Sequence, residues 1–118
     1  INLSIPRLTK INCLLVKKLL SNYYKKNIKF KKPNDLLIQK KKISGILQET
    51  ISFFDNKFLI VGIGINIIKS PKIKNYPTTN LNDLTNKCFN KSEIENKLKL
   101  IFETNFSKMY KTNKRLSK

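Results

Sequence analysis

Histidine and tryptophan are missing from this 118-residue sequence, which also has only three glycines, two cysteines and seven acidic residues. Without histidine, imidazole acid–base catalysis and most zinc sites are excluded. Cys13 and Cys88 stand far apart with no CxxC spacing. Lone cysteines and no visible signal peptide indicate reduced thiols, so the expected location is cytoplasmic. The longest apolar run, Phe58 to Ile68, is interrupted by Asn66 and falls short of the ~20 residues that cross a bilayer. Neither a membrane span nor a protein-held metal is expected.

What the sequence has in excess is lysine. Lysine and arginine number 25 against 7 acids, for a net charge of +18, yet Arg7 and Arg115 are the only arginines. Such a chain attracts polyanions. Clustered arginine with interleaved aromatics, the stronger nucleic-acid pattern, is lacking, and only Tyr23, Tyr24 and Phe30 sit among the lysines. Two readings stay open: a solvated lysine surface produced by compositional drift, and a basic nucleic-acid-binding module without specificity. At this length, the chain is one small domain or part of a larger one. Its opening on Ile1 suggests a fragment or a misassigned start.

Periodicity divides the chain. Leu8, Ile11, Leu15, Leu19 and Tyr23 recur at helical spacing, with Pro6 just before them and an end expected between Asn22 and Asn27. Ile28 to Lys31 is expected to be a short strand. Asp35 to Gln39 and Lys42 to Phe53 should form an antiparallel hairpin turning at Lys40-Lys41. After a turn at Asp55-Asn56-Lys57, Phe58 to Ile68 is apolar enough for a central strand. Lys69 to Thr79, with Pro71 and Pro77, is a loop, and Leu81 to Phe89 holds a short helix. A capping box, Ser92 with Glu95, then opens a helix carrying Ile94, Leu98, Ile101, Phe102, Phe106 and Met109 to about Tyr110. The expected fold class is α+β, a partial mixed or antiparallel sheet with flanking helices on one face. Residues 1–110 form the domain and 111–118 a basic, frayed tail.

The stretch from Lys31 to Asn66 carries the chemistry. Alternation along a strand puts Gly62, Gly64 and Asn66 on one face, and Ile63, Ile65 and Ile67 on the other. Two bare backbone patches followed by a carboxamide would let a flat ligand approach; equally, the glycines could mark a bulge or a tight packing contact.

Three blocks in order, Lys31-Lys32-Pro33-Asn34-Asp35, Lys42-Ile43-Ser44-Gly45-Ile46-Leu47-Gln48-Glu49 and Gly62-Ile63-Gly64-Ile65-Asn66, resemble the catalytic domain of biotin–protein ligases. Tyr76-Pro77-Thr78-Thr79-Asn80-Leu81 is similar to a later segment of that family. The resemblance runs from about Leu3 to Met109. It implies a sheet flanked by helices, related to class II aminoacyl-tRNA synthetases. The implied activity joins biotin to ATP as biotinyl-AMP, with Mg held mainly by the phosphates, and passes biotin to a lysine of a biotin carboxyl carrier protein. By resemblance, Lys42 is the cation that contacts the biotin carboxyl and the adenylate phosphate, and Gly45 lies against biotin. Asn66, beside Gly62 and Gly64, faces the adenine. Asn34 and Asp35 match the family's Asn-Asp pair, the aspartate orienting Lys42 or the incoming carrier lysine. Read from composition, Lys42 is one more solvated lysine, and Asn34 and Asp35 bond the hairpin backbone.

The sequence departs from the family in three ways. Lys32 stands where the family has tryptophan; the family's Gly-Arg-Gly-Arg-x-x-Arg loop does not occur; and neither does the small β-barrel domain. The expectation is therefore a truncated catalytic domain, roughly its second half, working with a separate N-terminal half or persisting as an inactive remnant. Homodimerisation, which occurs in some relatives, stays open.

Overall fold

The computed structural model describes the backbone of residues 4–116 and side chains as far as residue 107. Residues 1–3 and 117–118, at the edges of the expected domain and basic tail, lie outside the described residues.

Helix α1 spans Ile5–Leu20, with Ser4 as its N-cap: the Arg7 amide donates to Ser4 Oγ at 3.4 Å, and proline falls in the first turn. It begins a turn earlier than the apolar periodicity indicates, because the cap lies outside the apolar stripe. It also ends sooner, since Tyr23 and Tyr24 both donate to the Leu20 carbonyl and close the chain into turns. Cys13, Val16, Leu19 and Leu20 are fully buried, whereas Ile11 and Tyr23 are only half-buried. The buried face is broad because α1 packs against both the sheet and the last helix.

Four strands follow: β1 Lys29–Lys31, β2 Asp35–Ile38, β3 Lys41–Phe53 and β4 Asn56–Ile65. They form an antiparallel meander in the order β1-β2-β3-β4. Gln39 and Lys40, with φ of 52° and 64°, supply the left-handed pair that a two-residue hairpin turn requires. The turn therefore sits one residue before the expected Lys40-Lys41. The next reversal is Phe54-Asp55, not Asp55-Asn56-Lys57, because Asn56 already pairs with Phe53.

β4 is not central. It lies at the edge of the sheet and pairs only with β3 among the described residues. Its apolar run is misleading, since Phe58 and Ile60 sit on an arm of the β3–β4 hairpin and are 49% and 45% exposed. Toward Asn66 the alternation holds: Ile63 and Ile65 pack against the core, and Gly62 and Gly64 face outward.

Helix α2, Leu81–Thr85, is capped by Asn80, whose Oδ1 accepts from the Asp83 amide at 2.8 Å. Helix α3, Lys91–Leu116, is capped by Asn90, which accepts from the Ser92 and Glu93 amides at 2.9 and 3.3 Å. The Ser92–Glu95 box therefore lies inside the helix and does not cap it. α3 also passes Tyr110, since no glycine or proline interrupts it. Leu19, Leu20, Ile28, Leu36, Ile38, Ile43, Ile46 and Leu81 form the centre of one core.

Cys13 belongs to that core. Burial, then the nearby Asp35 charge, pushes its thiol up to about 11, while Cys88 is exposed. A thiol held protonated is a poor nucleophile. Ellman's reagent should therefore titrate one thiol promptly in the native protein and the second only in denaturant.

Candidate active site

An irregularity in β3 builds the site. Asp35 pairs with Gly45 and Leu36 with Ser44, but Leu37 pairs with Lys42, leaving Ile43 as an extra residue. Strict alternation would put Lys42 and Gly45, three residues apart, on opposite faces. With the extra residue, Ile43 turns fully into the core, and Lys42 joins Gly45 on the outward face.

On that face lies an open cavity of about 430 Å³. Lys42, Gly45, Asn34 and Asp35 line one side, and Gly62, Gly64 and Asn66 continue it along β4. Every residue singled out from the sequence thus falls in one place. The backbone of Asn34 is also committed, since its carbonyl accepts from the Ile46 amide at 2.9 Å. Ser44, on the opposite face, donates its hydroxyl to the Gly64 carbonyl at 2.7 Å and locks β4 against β3.

Lys42 Nζ lies 3.3 Å from Asp35 Oδ1, with side-chain exposures of 26% and 12%. A pair this sheltered is screened less than a surface ion pair. The second carboxylate oxygen, Oδ2, accepts from the Tyr76 hydroxyl at 2.5 Å. Burial, then the bond to Asp35 and the carboxylate charge, pushes the Tyr76 phenol up to about 12. The ammonium groups of Lys31 and Lys42, 4.5 and 5.5 Å from the ring centroid, favour the phenolate but do not outweigh those effects.

The floor is glycine for a local reason. A Cβ on Gly45 would stand 3.1 Å from both Cε and Nζ of Lys42 and 3.4 Å from Asp35 Oδ1. The missing side chain lets the ion pair lie flat across the strand. Beyond the end of β4, residues 77–79 take its place beside Lys42. The Lys42 amide donates to the Pro77 carbonyl at 2.8 Å, and its own carbonyl accepts from the Thr79 amide at 2.9 Å. This is a parallel bridge in an otherwise antiparallel sheet. Asn66 Nδ2 donates to the same Lys42 carbonyl at 3.4 Å.

Tyr76 has no assigned role in the sequence reading, although it heads the Tyr76–Leu81 block. The block marked the segment as similar to the family, but nothing in it marked a bond to Asp35 across 41 positions. The walls contributed by Pro71 and Ile73 carried no signal at all.

Comparison with known proteins identifies the family. Residues 5–66 match the model of the biotin/lipoate A/B protein ligase family. The chain belongs to this family.

An apo biotin protein ligase from Aquifex aeolicus is 31% identical, over 88% of this chain and 46% of that one, with a TM-score of 0.73. The same ligase in complex with biotin and ATP is 30% identical over 89% of this chain and 44% of its own, also at 0.73. LipL1 of P. falciparum in complex with lipoate shares the fold at 23% identity and a TM-score of 0.56. The family member described here spans under half the length of the Aquifex ligase. No curated protein sequence matches it.

The Tyr76 bond has a pH signature. The folded phenol is raised above its ordinary 10, so its stabilisation is complete below about pH 10 and lost as pH rises through about 12. Urea titrations of wild type and Tyr76→Phe should differ by about 1 kcal/mol at pH 8. The difference should shrink between pH 10 and 12. Subtracting the two cancels the lysine titrations common to both.

Proposed function

We propose that the chain supplies the cation-bearing part of a biotin–protein ligase site. There biotin and ATP condense to biotinyl-adenylate, and biotin then passes to a lysine of a carboxyl carrier protein. The supporting observation is the Lys42 ammonium, fixed by Asp35 over a glycine floor at the edge of an open cavity. The 30–31% identity to a biotin protein ligase favours biotin.

In the condensation, a carboxylate oxygen attacks the α-phosphorus while the bond to pyrophosphate breaks. Two anions must come together, and a fixed cation beside both lowers that barrier. Lys42 is the group placed to do so. It is already oriented, so little reorganisation accompanies the reaction. The bare backbone at Gly62 and Gly64 admits a flat purine, and the Asn66 carboxamide offers donor and acceptor to its edge. Asn34 lines the side nearest Asp35 and suits the biotinyl carboxyl. Both oxygens of Asp35 are engaged, which suits it to orient Lys42 and leaves it a poor base for the carrier lysine.

The residues present do not fit a protein-held magnesium. Among the described residues no cluster of three acidic, cysteine or histidine side chains exists, and Asp35, the one carboxylate lining the cavity, is neutralised by Lys42. Any ion accompanying ATP would ride on its phosphates. No helix among the described residues is long and apolar enough to cross a membrane. A cytoplasmic site of action belongs to this proposal.

Biotin-dependent ATP–pyrophosphate exchange tests the reading, with the chain alone and with the remainder of the ligase fold supplied in trans. Exchange should require Lys42, and Lys42→Ala should cost about 10²-fold or more. Silence in both arrangements, with no biotin bound, would leave an inactive remnant.

Gly45→Ala separates fold from function. The atoms it displaces are the far end of a flexible lysine, so urea stability should move by less than about 0.5 kcal/mol. Exchange should fall about 10- to 100-fold, because the ammonium is pushed from its place.

A further inference from the structure

Lys42 is held twice, and both attachments lead to one loop. Its amide and carbonyl are pinned by Pro77 and Thr79. Its ammonium is held by Asp35, whose other oxygen is held by Tyr76, the residue before Pro77. Tyr76 is itself aimed by a tight turn: its amide donates to the Ile73 carbonyl at 3.1 Å, and Asn75 takes a φ of 61°. Ile73 and Pro71, from the same loop, wall the cavity.

A carboxylate bound at one oxygen swings about its terminal torsion, which is broad and soft. Bound at both oxygens, it presents a fixed plane. The bond to Tyr76 is short and goes to a charged acceptor, the stronger class of hydrogen bond.

We propose that Tyr76 is a positioning residue: its hydroxyl fixes the plane of the Asp35 carboxylate and so holds the Lys42 ammonium over Gly45. The aim of the cation is thereby tied to the docking of the loop that walls the cavity. The phenol stays protonated through the working pH range, so it remains a donor. The ring has a separate task, lying beneath Lys31, which Tyr76→Phe preserves while removing only the hydroxyl. The part played in ligation rests on the function proposed above; the hold on Lys42 does not.

Trace acetic anhydride labelling at pH 8, followed by peptide mass spectrometry, reads the reactivity of Lys42 against Lys17 and Lys18 in the same molecule. Tyr76→Phe should raise the relative labelling of Lys42 several-fold, and Asp35→Asn should raise it at least as much. In the Asp35→Asn background, Tyr76→Phe should add nothing, since both changes act through one carboxylate. Unchanged Lys42 labelling in Tyr76→Phe overturns the proposal. So does an equal rise at all three lysines, which would assign the hydroxyl to general stability. In the exchange assay, Tyr76→Phe should lower kcat more than it raises the KM for ATP. A Lys42→Ala variant with full exchange, beside coupled labelling, would overturn the ligase reading and leave the positioning role standing.

Discussion

One surplus residue in β3 governs the site. A sheet offers only two faces, and strict alternation would send Lys42 to the core with Ser44 and Ile46, where an unpaired ammonium is costly. The bulge at Ile43 reverses the assignment locally: isoleucine fills the core, and the lysine emerges beside Gly45. Burial of Ile43 thus stabilises the placement of Lys42. The cation is held by hydrophobic packing as much as by its counter-ion.

Electrostatics act on a small scale within a chain of net charge +18. The general excess of lysine creates a diffuse field that salt screens within about 8 Å under physiological conditions. Asp35 is different because it is sheltered, bonded to Tyr76 and paired with one lysine. Its influence reaches the Tyr76 phenol and, through the core, the Cys13 thiol. A single carboxylate therefore organises a site that composition would describe only as basic. Which lysine matters depends on which one meets that carboxylate.

The two ends of the β3–β4 hairpin have different surroundings. Near Asn66 the strands are backed by α1 and the core, and glycines open the outer face. Farther out, Phe53 and Phe54 are 64% and 87% exposed. Similar apolar residues thus carry opposite meanings along one strand, and hydropathy alone cannot separate them. Reading β4 as central failed for this reason. Helix ends were misplaced for another: Ser4 and Asn90 cap through one or two side-chain hydrogen bonds, while the periodicity that reveals a helix begins only after its cap.

The sequence by itself determined the helices, the meander, the outward face of Gly62, Gly64 and Asn66, and the order of blocks that marks the family. Each depends on neighbours close in the chain or on a motif whose spacing is fixed. Tertiary structure alone decided that Lys42 shares a face with Gly45, and that Tyr76, 41 positions from Asp35, grips the carboxylate that pairs with Lys42. A bulge adds no signature to the alternation it breaks, and a hydrogen bond between distant residues leaves no period. Both arise only when the core chooses which side chain to bury.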